Sequence, residues 1–153
     1  MRSAVLILVV ALSGVVTHSA AAQRKRGAST APGASCADVD KKGQCAIYDV
    51  SLVALIAAPE RFDGKTVRVV GYAHLAFNNT GIYLSRESFE QGAQKNGVWL
   101  ELAADTLTAR ANDLTDRYVR VTGVWNAHDF GNLGLWSGQI ERVRSLEAWG
   151  RRF

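Results

Sequence analysis

His74, His128 and Asp129 are the side chains of this sequence best suited to chemistry. Imidazoles and a carboxylate are ligands of zinc and similar ions. They would form a metal site if the strand carrying His74 met the loop carrying His128 and Asp129 at one end of the fold, and an ion held there would activate water for hydrolysis. The spacing gives that chemistry little support, because no His-x-His, His-x-x-x-His or His-Glu-x-x-His pattern is present.

A paired nucleophile is also missing. Ser137 sits in Leu-Trp-Ser-Gly without the Gly-x-Ser-x-Gly elbow. Glu87, Glu90 and Glu101 are scattered, whereas glycoside hydrolysis needs two carboxyl groups facing each other across a cleft. Gly131-Asn132-Leu133-Gly134 lacks the lysine and the following helix of a phosphate loop. The residues therefore imply no catalytic group, no cofactor and no enzyme; a metal-dependent hydrolase at His74, His128 and Asp129 is the weakest alternative. Binding chemistry is better represented, by Arg68, Tyr72, Tyr83, Trp99, Arg120 and Trp136. Aromatic platforms flanked by arginine hold flat or polymeric ligands.

The elements that must position these groups are strands. From Thr66 to Leu75 the residues alternate, placing Val67, Val69, Gly71, Ala73 and Leu75 on one face and Thr66, Arg68, Val70, Tyr72 and His74 on the other. Arg117 to Trp125 repeats this grammar, with Gly123 at the offset of Gly71 and Arg120 outward. A glycine inside a β-branched strand marks a bulge or a bend. Asn78-Asn79-Thr80-Gly81 predicts a hairpin turn leading into Ile82-Tyr83-Leu84, and Gly97–Leu102 and Leu135 to about Val143 predict further strands. Within Gly97–Leu102, Trp99 alternates away from Val98 and Leu100. Short helices are predicted at Leu52–Ala58 behind a Ser51 cap, from Ser85 to Gly92, and over Asp105–Ala111. None is long enough for a parallel crossover. The pattern predicts a mainly β fold with short helices, a five-stranded OB-like barrel, with an open α+β antiparallel sheet as the alternative.

Residues 1–22 read as a signal peptide: Arg2, an apolar run from Ala4 to Val16, then Ala20-Ala21-Ala22 before a cleavage point. The run is too short to span a bilayer. Residues 23–35 read as a flexible leader, and 36–153 as a single domain. Beyond Gly27, fourteen Lys and Arg meet fourteen Asp and Glu. That neutrality makes nucleic acid a poor partner, since a sequence-independent binder needs a concentrated basic surface. Cys36 and Cys45, close together in an exported chain, predict a disulfide.

The run from Val50 to Lys65, continued by Val67-Arg68-Val69-Val70-Gly71, resembles the opening of a group of uncharacterised bacterial exported proteins. Lys95-Asn96-Gly97-Val98-Trp99-Leu100 and Gly131-Asn132-Leu133-Gly134-Leu135-Trp136-Ser137-Gly138 are similar to it as well. The resemblance implies an OB-like barrel related to anticodon-binding domains and brings no catalytic residues. The resulting expectation is an exported, periplasmic or secreted, non-catalytic binding or adaptor module of the cell envelope. Its partner would be an envelope ligand or protein. The alternative is a protein-interaction or structural module using its edge strands and the Phe130–Leu133 loop.

Overall fold

The computed structural model describes residues 33–103, 105, 109 and 112–150. The expected signal peptide and residues 23–32 of the expected leader lie outside the described residues, whereas Ala34 and Ser35, expected to end the flexible leader, open the first strand. Among the described residues, seven strands form one mixed sheet: β1 (Ala34–Val39), β2 (Cys45–Val50), β3 (Thr66–Ala76), β4 (Asn79–Tyr83), β5 (Gly97–Leu100), β6 (Arg117–Asn126) and β7 (Gln139–Ala148). Two short helices, α1 (Leu52–Ala57) and α2 (Arg86–Glu90), pack beside them. Of the helix expected over Asp105–Ala111, residues 105 and 109 are described and helical, as are 112–114; the rest lies outside the described residues.

The strand order is β1-β2-β3-β4-β5-β7-β6, and β6 pairs back onto β3. Five strands therefore close a ring, but an uneven one. The β3–β6 seam runs from Thr66↔Val124 to Ala73↔Arg117, whereas β5 and β7 share only Trp99↔Gln139 and Leu100↔Ile140. The remaining strands, β1 and β2, hang from β3 through a parallel contact at Tyr48↔Val67 and Asp49↔Arg68.

The ring rests on the alternation read in β3. Val67, Val69, Gly71, Ala73 and Leu75 are all buried, as are Val119 and Val121 opposite them. Trp125 fills the interior, its indole Nε1 donating to the Pro59 carbonyl at 3.0 Å. Six residues are too few to hold a helix alone in water, so α1 depends on burying Leu52 and Leu55 and on Ser51, whose hydroxyl accepts from the Ala54 N–H at 3.1 Å.

Several expectations need correction. There are seven strands instead of five, because the cysteine segment is itself a hairpin, closed by Asp40, whose carboxylate accepts from the Lys42 and Gln44 N–H groups at 2.8 Å each. Its charged, glycine-containing sequence hides the strand period. Two pairs are parallel, and the open antiparallel alternative fails because β6 returns to β3. No long crossover helix is required: β2 and β3 touch at two positions, and β6 lies between β5 and β7 in sequence. The first hairpin turns at Phe77 and Asn78, with Thr80 and Gly81 already in β4. The last strand starts at Gln139, since residues up to Gly138 are needed by the preceding loop. Gly123 does mark a bulge, between Thr122 and Val124. Gly71 does not; β3 keeps its register, and a Cβ there would lie 3.0 Å from the Tyr83 carbonyl oxygen.

Cys36 and Cys45 are joined by a disulfide across β1 and β2. Replacing both by serine is expected to cost about 2–3 kcal/mol, the loop-closure entropy of a short ring. Hydrogen exchange checks this: β1 and β2 amides should lose protection while Val69 and Val121 keep theirs, and uniform loss would mean that the hairpin supports the whole sheet.

Candidate functional site

The loop of residues 127–138, between β6 and β7, folds back over the outer face of β4 and β5. Trp136 is buried there, its ring 5.0 Å from that of Tyr83 and 5.7 Å from that of Trp99. This packing needs bare backbone beneath it. A Cβ on Gly81 would lie 2.3 Å from the Trp136 ring, and one on Gly131 would lie 2.5 Å from Trp99 Cβ. Polar contacts hold the loop's ends and middle. Lys95 Nζ donates to the Trp136 carbonyl at 2.7 Å, and Ser137 Oγ donates to the Lys95 carbonyl at 2.7 Å. Asn126 Oδ1 accepts from the His128 and Asp129 N–H groups, and Asp129 Oδ1 accepts from the Gly131 N–H at 2.9 Å.

Between this loop and the β3–β4 turn lies a cleft of about 510 Å³. Its walls are Phe77 and Asn78 from the turn, Thr80 from β4, Trp99, Leu100 and Leu102 from β5 and beyond, and Asp129, Gly131, Asn132, Leu133 and Gln139. Asn132 Nδ2 donates to the Asn78 carbonyl at 3.1 Å and so ties the two walls together. Phe77 and Leu133 are 84% and 82% exposed at the rim, while Trp99 is half-buried. Apolar surface is thus presented to solvent at the rim, above the buried Thr80, Leu100 and Gln139.

A second cleft, about 580 Å³, opens on the outer side of β3 and β6 and brings Arg68 and Arg120 together with Trp149. Its charges are already spent on one another. Arg68 donates through Nε and Nη2 to both oxygens of Asp49, at 2.6 and 2.7 Å, and this fork holds the Asp49 carboxyl below the usual aspartate range. Arg120 donates to Glu147 Oε2 at 3.0 Å and stands 5.1 Å from the Trp149 ring centre.

The other predicted residues fall elsewhere. Tyr72 and Tyr83 are buried beneath Phe89 of α2, with ring centres 6.0 and 5.4 Å from it, and burial pushes both phenols up. They are packing groups in this arrangement, as is Trp136. His74 stacks on Phe89 at 4.2 Å and pairs through Nδ1 with Asp116 Oδ1 at 2.9 Å, at the start of β6. His128 follows the end of β6, with Nε2 3.6 Å from carboxylate oxygens of Glu60 and Asp63. Ten residues of β6 at about 3.3 Å each hold the histidines on the order of 30 Å apart, so the expected convergence of His74 with His128 and Asp129 does not occur. Among the described residues no group of three or more His, Cys, Asp or Glu side chains is placed to hold a metal ion, and no helix is long and apolar enough to cross a membrane.

Of the cleft beside the loop, only Trp99, Asp129 and the Phe130–Leu133 tip are singled out by sequence. Phe77 is the residue missed with a readable signal, a large aromatic directly before the predicted hairpin turn, where segments run over the surface. Asn78 lies in the predicted hairpin turn and Asn132 within that tip, but nothing in their type points to a cleft, and Gln139 carries no signal. No protein-family model, curated protein or solved structure matches the chain.

The Arg68–Asp49 fork makes a measurable difference to titration. Because the folded carboxyl is held low, its contribution to stability is present above the unfolded pKa and fades as pH falls through the folded one. Carbon-13 NMR should find Asp49 titrating below an ordinary aspartate, and Arg68→Ala should return it to the ordinary range. An unchanged midpoint would mean that the fork does not persist in solution.

Proposed function

We propose that this chain is an exported, non-catalytic binding module on an OB-type barrel, and that the cleft between the β3–β4 turn and the β6–β7 loop is its ligand site. Counting β3 as the first strand, the ring runs first, second, third, fifth, fourth and returns to the first, with the helical residues 105, 109 and 112–114 between third and fourth. In OB barrels the face of the second and third strands, with the first-to-second and fourth-to-fifth loops, receives oligosaccharides and oligonucleotides. The observation that carries the reading is the coincidence of place: Phe77 and Asn78 from the one turn, Asp129 to Leu133 from the other loop, and Trp99 between them. Its volume also lies within the range of ligand pockets. Export is supported by the N-terminal pattern and is compatible with a disulfide, which persists in oxidising compartments.

A second reading draws on the loop's apolar tip. Phe130, Leu133 and Leu135 are exposed, and β1 is the free edge of the sheet among the described residues. An exposed apolar cluster suits a protein partner.

A thermal-shift screen of the oxidised domain against oligosaccharides, peptides and single-stranded nucleic acid separates the two, because a ligand at about 100 times its Kd adds about 2.7 kcal/mol. A saturable shift that falls to about half or less in Trp99→Ala and Phe77→Ala at the same ligand concentration is the expected result. A shift that survives both variants would place binding elsewhere, and capture of a protein partner that is lost in Leu133→Ser but kept in Trp99→Ala would favour the second reading.

A further inference from the structure

Resting on that choice of site, we infer that the ligand of the cleft is an uncharged oligosaccharide. A sugar ring offers two chemistries at once: faces of C–H groups that pack on aromatic planes, and rims of hydroxyls that each donate and accept. The cleft offers the complement of both. Phe77 and Trp99 supply the aromatic surface, and the carboxamides of Asn78 and Asn132 supply side chains that carry donor and acceptor together, with Gln139 buried behind them.

Charge argues the same way. None of the described residues lining the cleft is lysine or arginine, and Asp129 brings a carboxylate to its wall. Lys95 approaches the loop, yet its ammonium donates to the Trp136 and Gly134 carbonyls at 2.7 and 3.3 Å and stands 5.5 Å from the Phe130 ring centre. Single-stranded nucleic acid requires a basic track along its phosphates as well as stacking platforms. Here the platform exists without the track. The arginines that could form one sit in the other cleft, paired with Asp49 and Glu147.

A peptide that would bind by strand addition is disfavoured by the backbone. Such ligands gain most of their affinity by adding a strand to a free sheet edge. The strands bordering this cleft are each bonded on both sides: β4 by β3 and β5, and β5 by β4 and β7. What the site does have is order. The Asn132–Asn78 bond ties its walls, and the loop is pinned through Trp136, so little freedom is lost when a weakly binding sugar settles.

The test is a printed array of neutral and acidic glycans probed with the whole disulfide-bonded domain, followed by calorimetric titration of the best neutral hit and of oligothymidylate. A neutral oligosaccharide should bind saturably, with Kd below about 10 mM, and should weaken by less than about twofold between low and high salt because no counterions are released. Trp99→Ala should raise Kd about tenfold or more, while Trp99→Phe, which keeps an aromatic face and guards against misfolding, should stay within about threefold. Binding of no neutral glycan overturns the inference. If oligothymidylate or an acidic glycan binds instead, steeply with salt and dependent on Trp99, the inference of an uncharged oligosaccharide fails while the cleft stands as the site. If a ligand binds with equal affinity to wild type, Trp99→Ala and Phe77→Ala, both the class and the site fail.

Discussion

The close approach of Trp136 to bare backbone is the constraint on which the rest of this architecture depends. The indole lies across Gly81 of β4, where a Cβ would come within 2.3 Å of its ring, and across Gly97 of β5, where the distance would be 3.1 Å. Interiors are packed too tightly to absorb such overlaps. With glycine at both positions, the ring is buried against Tyr83 and brings its loop onto the sheet. Everything the loop carries to the cleft, from Asp129 to Leu133, is placed by that contact.

Burial of the sheet's outer face has a second cause in α2. Phe89 covers Tyr72, Tyr83 and His74, so the aromatic residues of β3 and β4 serve as a second layer of packing beneath a helix of five residues. A face that looks amphipathic in sequence is thereby closed, and aromatic surface remains open where no helix reaches, at Phe77 and Trp99. Helix and loop together decide which rings pack and which meet solvent.

Electrostatics divide the surface in the same economical way. Arg68 with Asp49, and Arg120 with Glu147, form pairs that leave the second cleft without a strong field, in keeping with a domain whose acidic and basic residues balance beyond Gly27. Exposed pairs of this kind contribute little to stability. Their consequence is negative: the arginines are engaged, and the open aromatic cleft is left to hydrogen bonding and apolar contact.

Much of the framework was legible because it is local. The alternation of β3 and β6, the Ser51 cap and the pairing of Cys36 with Cys45 follow from periodicity, capping chemistry and spacing, which operate within a few residues. Local pattern alone accounts for a β-rich fold, two glycine-bearing strands, and the presence of aromatic and arginine residues on their outward face. Only the tertiary structure decided that Tyr72, Tyr83 and Trp136 are packing groups, that His74 and His128 stand at opposite ends of β6, that Asp49 and Glu147 engage the two arginines, and that Phe77, Asn78 and Asn132 meet around Trp99. The physical reason is that period two says which face a side chain takes, whereas what covers that face depends on a loop or helix distant in sequence, brought there by contacts such as Trp136 on Gly81.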